Sequence, residues 1–263
     1  MLDHFRIGNG AGFPDHPHRG QETITYLLSG AVDHEDFSGS KGTIWAGDLQ
    51  FMTAGRGIVH AEMPHPNSDG SDNVGMQLWV DLPKELKFCE SRYRDLRSDE
   101  IPTAKTPNGK VTVRVISGRS QGVDSVQELA YTPVWLLDIT IQPGGRIEQA
   151  IPSNWNAFAY TLSGAVTFDT GSSSQTVEKF HNTVFARAPG DQVVASVPED
   201  AKEPARMILV AGLPLDQPIV QYGPFVLTDP SQVREAMWDY STFKNGFERA
   251  EEWRSQIGRS LMG

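Results

Sequence analysis

A seven-residue string near the start of the chain returns, almost unchanged, in its second half. Residues 26–32 read YLLSGAV and residues 160–166 read YTLSGAV. In each copy a β-rich run ends at a Ser-Gly turn, and a second turn follows, AGD at 46–48 and PGD at 189–191. Internal similarity of this kind indicates a duplicated structural unit. We therefore predict two copies of one β-unit, joined around residues 118–135.

Several other stretches are rich in β-branched residues. Residues 111–116, 135–141, 193–197 and 207–211 each have the composition and length of a strand. Many short strands separated by regular turns favour small β-barrels or sandwiches. The sequence therefore predicts an all-β protein.

Helical patterns are confined mainly to the end of the chain. The string DPS at 229–231 resembles a helix start. The apolar residues that follow it have helical spacing: Val233, Ala236, Met237 and Tyr240. A second helix is predicted over residues 247–257, ending at Gly258. The predicted domains are 1–120, an N-terminal lobe, and 121–263, a C-terminal lobe that includes these terminal helices.

Composition and charge exclude several classes of function. The 38% of hydrophobic residues is enough for a buried core, and no apolar stretch approaches the roughly 20 residues of a membrane span. A formal net charge of −10 would repel nucleic acid, so we expect no direct contact with it. Cys89 is the one cysteine, which excludes an internal disulfide and is typical of the reducing cytoplasm or nucleus.

Two pairs of metal-binding residue types have strand spacing. His16 and His18 are separated by one residue, as are His60 and Glu62. Alternate side chains of a strand lie on the same face, so two such pairs on neighbouring strands can converge on one point. Three neutral imidazoles and one carboxylate suit a divalent first-row metal ion and leave coordination positions open. The pattern predicts a metal site that is open to O₂ or to a substrate.

The alternative is that these histidines are structural, since an isolated H-x-H is weak evidence of a site. The repeat argues against it. Counted from the repeated turns, the corresponding positions of the second copy are Ala150, Pro152, Glu203 and Ala205. A purely structural role would require similar residues in both copies. We therefore expect one lobe to hold the metal and the other to support it.

Longer strings resemble the pirin family of the cupin superfamily. The strings are FPDHPHRGQETITYLLSG at 13–30, GDLQFMTAGRGIVHAEMP at 47–64, QYGPFV at 221–226 and NGFERA at 245–250. The resemblance runs over nearly the whole chain. It implies a bicupin, which is a pair of cupin-type β-barrels packed together, with the metal in the N-terminal lobe. It also implies a monomer.

The resemblance implies a ligand set and a metal. The ligands would be His16, His18, His60 and Glu62, holding one iron ion per chain, with other divalent first-row metals as alternatives. Many cupins use the glutamate of the first motif, here Glu22, as a ligand. Since Glu62 is present, we expect Glu22 to lie behind the ligands and orient an imidazole, or else to face a polar rim.

Other polar residues near the motifs are predicted to lie at the surface. Arg56, in a Gly-Arg-Gly turn before His60, is expected to point to solvent rather than into the cavity mouth. His34 is likewise expected at the surface rather than behind the metal ligands. Members of the family usually carry further strands before the first residues seen here, so either the sequence begins short or the protein dispenses with those strands, which would leave a sheet edge exposed.

Two functions are compatible with these features, and a third is less favoured. The first is a quercetin 2,3-dioxygenase-type oxygenase acting on a flavonol-like aromatic substrate, with Glu62 as the base for the substrate hydroxyl. The second is an iron-dependent, redox-sensing nuclear transcription cofactor that binds a regulator protein and has no catalysis of its own. The third is a metal-free scaffold, or a lyase or isomerase on the same barrel. No membrane association is expected.

Overall fold

A computed structural model describes residues 1–8, 10–126, 130–187 and 192–259. It divides the chain into two compact units. The first unit comprises Met1–Ser98 together with Leu215–Gly263, and the second comprises Asp99–Pro214. Within the described ranges, strands dominate both units and a single α-helix is present. None of the helices there has the length and apolar character needed to cross a membrane.

The first unit is built from two main sheets and a C-terminal addition. Its strands are β1 Leu2–Ile7, β2 Phe13–His18, β3 Gln21–Ser29, β4 Ala31–Asp36, β5 Lys41–Trp45, β6 Leu49–Thr53, β7 Ile58–Pro64, β8 Asn73–Asp81 and β9 Arg92–Leu96. One antiparallel sheet has the order β1-β8-β3-β6-β9 and the other has the order β2-β7-β4-β5. The strand β1 therefore lies at one edge of its sheet.

The second unit repeats this plan. Its strands are β10 Thr103–Lys105, β11 Val111–Ser117, β12 Arg119–Ser120, β13 Val123–Asp124, β14 Val134–Ile141, β15 Arg146–Ala150, β16 Asn156–Ser163, β17 Ala165–Asp169, β18 Ser174–Glu178, β19 Asn182–Phe185, β20 Gln192–Ser196 and β21 Ala205–Gly212. The sheet orders are β10-β11-β14-β21-β16-β19 and β15-β20-β17-β18. Strands β14–β21 thus match β1–β8 one for one, and the four strand stretches predicted from composition are confirmed.

The repeated string occupies the same place in both units. Strands β3 and β16 end at Ser29 and Ser163, and β4 and β17 begin two residues later. The glycines between them, Gly30 and Gly164, have φ of 75° and 65°, in the left-handed region that favours glycine. The Ser-Gly pairs are therefore the tight connections between the two sheets of each unit, and the predicted duplication is confirmed.

The core of the second unit lies between its two sheets. Inward-facing residues of the larger sheet, such as Val113, Leu137 and Leu209, pack in one cluster with Val166 and Ala195 of the smaller sheet. The alternation of buried and exposed residues along β11 and β15 has the period of two expected of half-buried strands. This architecture, an all-β bicupin, is the predicted fold class.

The second turn of the repeat is aligned differently from the prediction. Residues 189–191 lie outside the described residues, but they fall between β19 and β20, whereas residues 46–48 connect β5 and β6. The connection that matches 46–48 runs instead from β18 to β19 and contains Phe180, with φ of 68°. The Gly-Asp turns are therefore not equivalent, and Glu203 and Ala205 are not the counterparts of His60 and Glu62. The reason is that the two copies differ in loop length.

The chain divides at different positions from those predicted. The boundary lies at Ser98/Asp99 rather than at 120/121, because β10 and β11 pair with the second unit's larger sheet. Residues from Leu215 onward belong to the first unit rather than the second. They include β22 Val220–Tyr222, β23 Phe225–Leu227 and the helix α1 Pro230–Ser241.

The predicted start of α1 is confirmed, but the second terminal helix is absent from the described residues. Asp229 caps α1 by accepting from the backbone N–H of Ser231. Over residues 247–257 the structure has only a 3₁₀ turn, Glu248–Ala250. The N–H groups of Ser255 and Gln256 donate to the carboxylates of Asp15 and Glu35, at 3.2 and 2.6 Å. Bonds to the first unit's strands therefore replace helical bonds.

A buried ion pair anchors the C-terminal residues to the turn after β2. The guanidinium of Arg19 donates to Asp239 of α1 at 2.8 Å and to the backbone oxygen of Asn245 at 2.7 Å. It also lies 4.7 Å from the ring centroid of Phe247. The side chains of Arg19 and Asp239 are 1% and 4% exposed. Because both buried charges have their hydrogen bonds satisfied, this ion pair fixes the position of the C-terminal segment on the first unit.

We predict that Asp239→Ala lowers the free energy of unfolding by about 3–5 kcal/mol, because Arg19 would be left charged and unpaired in the interior. Urea unfolding followed by tryptophan fluorescence measures the change. Glu235→Ala, at an exposed position of the same helix, is the control and should shift stability by less than about 0.5 kcal/mol. Equal effects of the two substitutions would contradict the prediction.

Candidate metal centre

Strands β2 and β7 are neighbours, and their register brings the two sequence pairs together. His16 is the direct cross-strand partner of His60, and His18 follows two residues later on the same face of β2. Glu62 lies two residues after His60 on the same face of β7. The expectation that the pairs occupy adjacent strands is therefore met.

Three histidines form a compact cluster. In the described part of the chain, the candidate ligand atoms of His16, His18 and His60 all lie within 4.8 Å of one another. The ring centroids of His16 and His60 are 4.3 Å apart, and His18 lies 4.9 and 5.1 Å from the other two. His18 and His60 are each 2% exposed, whereas His16 is partly exposed. The cluster is closed on one side and accessible on the His16 side.

Burial keeps two of these imidazoles neutral. It lowers the pKa of His18 well below its usual value, and the nearby His16 adds to the effect. It lowers the pKa of His60 in the same way, with contributions from His16, His18 and His34. The Nε2 atoms of both His18 and His60 are buried and have no hydrogen-bond partner. Neutral, unpartnered nitrogens on converging rings are what a metal ion requires, so these residues fit one.

The opposite nitrogen of each ring is held by a neighbour. Nδ1 of His16 lies 2.8 Å from the backbone oxygen of Pro14, and Nδ1 of His18 lies 2.6 Å from Nε2 of Gln21. Nδ1 of His60 lies 3.4 Å from the hydroxyl of Tyr93. Contacts of this type fix the orientation of metal-binding imidazoles.

Glu62 is held beside the cluster rather than within the three-histidine group. Glu62 is 3% exposed. Its carboxylate accepts hydrogen bonds from the Thr25 hydroxyl at 3.2 Å and from Nε2 of Gln77 at 3.1 Å. Gln77 also accepts from the indole N–H of Trp79 at 2.7 Å. Thr25 and Gln77 are cross-strand partners in β3 and β8. Glu62 as a fourth ligand stays a prediction.

The expected role of Glu22 behind the ligands stays a prediction. It is fully buried and accepts from the Thr53 hydroxyl at 2.7 Å. The groups in contact with the Nδ1 atoms of the three histidines are those of Pro14, Gln21 and Tyr93. The backbone of Pro14 and the side chains of Gln21 and Tyr93, none of which a motif had indicated, thus contact the rings.

His34 and Tyr93 lie behind His60. His34 was expected at the surface, but it is 3% exposed and its Nε2 lies 3.3 Å from a carboxylate oxygen of Asp95. Its ring is parallel to that of Tyr93, at a centroid distance of 6.4 Å. The pKa of Tyr93 is raised well above its usual value, by burial and then by Asp36, Glu62 and Asp95. Tyr93 is therefore a neutral hydroxyl next to His60.

Arg56 lies at the surface, as predicted. Its guanidinium is 48% exposed and lies 3.5 Å from the carboxylate of Glu90. It therefore adds no charge to the histidine cluster.

Two aromatic rings flank the cluster. The Trp79 ring packs edge-on against His18, with centroids 5.3 Å apart. The Phe13 ring, 41% exposed, lies 6.4 Å from the ring of His16. One ring therefore lies beside the partly exposed His16 and the other beside the buried His18.

The strand registers identify the counterparts of the four predicted ligands in the second unit. The pair His34–Glu62 of β4 and β7 matches the pair Phe168–Ala195 of β17 and β20. The pair His16–His60 of β2 and β7 then matches Gln149–Val193 of β15 and β20. By this register the four counterparts are Gln149, Ile151, Val193 and Ala195. They replace the positions inferred by counting, and none of them is a histidine or a carboxylate.

Comparison with known proteins gives one consistent result. The family model for pirin matches residues 2–80, and the model for the pirin C-terminal cupin domain matches residues 136–246. A pirin-like protein of Arabidopsis thaliana is 45% identical over 99% of this chain and 84% of its own length. Pirin of Homo sapiens is 44% identical over 98% of this chain and 86% of its own length.

Solved structures with the same fold include an enzyme. A quercetin 2,3-dioxygenase from Acinetobacter baumannii has a TM-score of 0.82 and 29% identity, and the match covers 94% of this chain and 85% of that one. The bacterial pirin YhhW of Escherichia coli, solved in complex with nickel(II), has a TM-score of 0.61 over 81% of each chain. At 22% identity, that second likeness shows the fold alone.

The histidine cluster predicts an acid-sensitive fold in the metal-depleted protein. Folded His18 and His60 take up protons at lower pH than their unfolded forms, so protons favour unfolding. The free energy of unfolding should therefore fall as the pH drops below about 6.5, by up to about 1.4 kcal/mol per histidine and pH unit. Urea titrations from pH 7.5 to 5.0 measure it.

The double variant His18→Gln/His60→Gln should flatten this pH dependence. His181→Gln, at an exposed position, is the control and should keep the wild-type slope. A slope that is the same in all three proteins would show that the cluster does not titrate with folding.

Proposed function

Because the chain belongs to the pirin family, we propose that it is a non-haem iron protein with quercetin 2,3-dioxygenase-type activity on a flavonol-like aromatic substrate. The observation that carries the proposal is the cluster of His16, His18 and His60, which is partly exposed at His16 and flanked by the rings of Phe13 and Trp79. The likeness to a dioxygenase at 29% identity supports the reaction class.

Three imidazoles would hold the metal, and Glu62 is the proposed fourth ligand or the base beside it. An iron ion bound there would supply Lewis acidity and orientation toward the substrate oxygens. Imidazole ligands also accept other first-row ions, so the choice of iron is part of the proposal. The neutral state of His18 and His60 favours loading near neutral pH, since no proton has to be displaced from them.

The substrate would enter on the His16 side. The exposed Phe13 ring and the half-buried Trp79 ring offer apolar faces on which a flavonol ring system can pack. The indole N–H of Trp79 is already committed to Gln77, so that ring is held in one orientation. These rings would position the substrate hydroxyl toward the cluster and exclude water around it.

Glu62 is the proposed acceptor of the substrate hydroxyl proton. Its two oxygens accept from Thr25 and Gln77, which hold the carboxylate in one orientation. A carboxylate on the same strand face as His60 can take a proton from a hydroxyl bound at the cluster. The proton would then stay on Glu62 until it passes to the product.

The first test is the oxygen-dependent consumption of quercetin by iron-loaded protein. We expect loss of the flavonol absorbance in air and none without O₂. His60→Ala should lose the bound metal and at least about 100-fold in turnover, because a ligand is removed. His65→Ala is the matched control and should keep both the metal and the turnover. His65 directly follows β7, and its Nδ1 lies 3.0 Å from a carboxylate oxygen of Asp33. Full turnover by His60→Ala would overturn the proposal.

The second test separates the base from the ligands. Glu62→Gln keeps the size of the side chain and loses the ability to take a proton, so turnover should fall by about 100-fold or more. If Glu62 acts mainly as the base, the metal content should stay close to that of the wild type. Glu90→Gln controls for the change of charge, because the side chain of Glu90 is 79% exposed. Unchanged turnover in Glu62→Gln would exclude this residue as the base.

The alternative, a redox-sensing transcription cofactor in the nucleus or cytoplasm, stays a prediction. It shares the metal site with the first proposal and differs in requiring no aromatic substrate. Tightly bound iron with no consumption of quercetin would favour it.

A further inference from the structure

The second unit contains a cavity of about 740 Å³ at the place where the first unit has its histidine cluster. Two of its lining residues are Ile151 and Val193, which the strand registers equate with His18 and His60. A volume of this size falls within the roughly 300–1,000 Å³ typical of small-molecule sites. Side chains do not fill the interior at the position where the other unit has its imidazoles.

Aromatic rings form the walls of this cavity. Phe168 takes the place of His34 and is 4% exposed, and its ring lies edge-on to that of Phe185 at 5.5 Å. Trp155 lines another side, and its ring is also edge-on to that of Trp135, at 5.9 Å. Because these rings already pack against one another, they lose little conformational entropy when an aromatic ligand binds. The walls therefore favour a flat aromatic ligand.

The charged side chains at the edge of the cavity are paired with one another. Arg146 and Asp169 both line it, their side chains are 49% and 40% exposed, and their charged atoms lie 3.5 Å apart. The guanidinium of Arg146 also lies 3.2 Å from Glu148. The two carboxylates together outweigh the charge of Arg146, so the edge gives no advantage to an anionic ligand. The edge is suited to an uncharged molecule.

We propose that this second-unit cavity is a metal-free binding site for an uncharged, hydroxylated aromatic compound of two or three fused rings. The aromatic walls bind the ring system, and a ligand hydroxyl contacts the polar edge formed by Arg146 and Asp169. The site is separate from the histidine cluster and does not depend on the proposed function. Duplication would thus have produced one metal site and one organic-ligand site at matching positions.

The test uses the full-length, metal-loaded protein and 2-naphthol as the probe. Methyl-labelled NMR titration should shift the signals of Ile151 and Val193, and the same shifts should occur in His60→Ala, which lacks the first-unit metal. Phe185→Ala removes one wall and should raise Kd by about tenfold. Phe180→Ala, an exposed phenylalanine of the same unit outside the cavity lining, is the matched control and should leave Kd unchanged.

Ala186→Trp provides a second variant that does not remove core packing. This exposed residue lines the cavity, so a tryptophan there should obstruct it and raise Kd at little cost to folding. It decides the matter if Phe185→Ala fails to fold. The probe is added up to about 5 mM, which would saturate most of a site with a Kd of about 1 mM. Signals of Ile151 and Val193 that do not shift at this concentration would overturn the proposal. An unchanged Kd in Ala186→Trp would do so as well.

Discussion

The register between β2 and β7 is the constraint on which the site depends. It makes His16 the direct partner of His60, and the two-residue period of each strand then adds His18 and Glu62 to the same face. A slip of one residue would turn every one of these side chains to the opposite face. The buried pair of Arg19 and Asp239 lies immediately after His18 and connects that strand end to α1, so the C-terminal residues help to hold the register.

The polar residues around the histidines convert a cluster of rings into a potential metal site. Burial makes His18 and His60 neutral and leaves their Nε2 atoms without partners. A buried ring nitrogen without a partner is unfavourable. The Nδ1 atoms of the same two rings do have partners, Gln21 for His18 and Tyr93 for His60. Glu62 is held in the same manner by residues of two other strands. The site therefore draws on both sheets of the first unit.

The two units show how little of the fold has to change for the chemistry to differ. Strand order and the Ser-Gly connections are shared, whereas the side chains at the inward-facing positions of the site differ. Where the first unit has imidazoles at His18 and His60, the second has the aliphatic residues Ile151 and Val193 beside a cavity. Fold alone therefore does not assign a function to either unit, and the side chains at matched positions do.

The sequence by itself determined the duplication, the strands, the start of α1 and the two pairs of ligand candidates. All of these depend on residues close together in the chain, whose spacing follows from the period of a strand or helix. It did not determine the unit boundary, the packing of residues 247–257, the burial of His34 or the contact of Tyr93 with His60. Those depend on which distant strands become neighbours, and sheet order leaves no local periodic signal. Only the tertiary structure decided them.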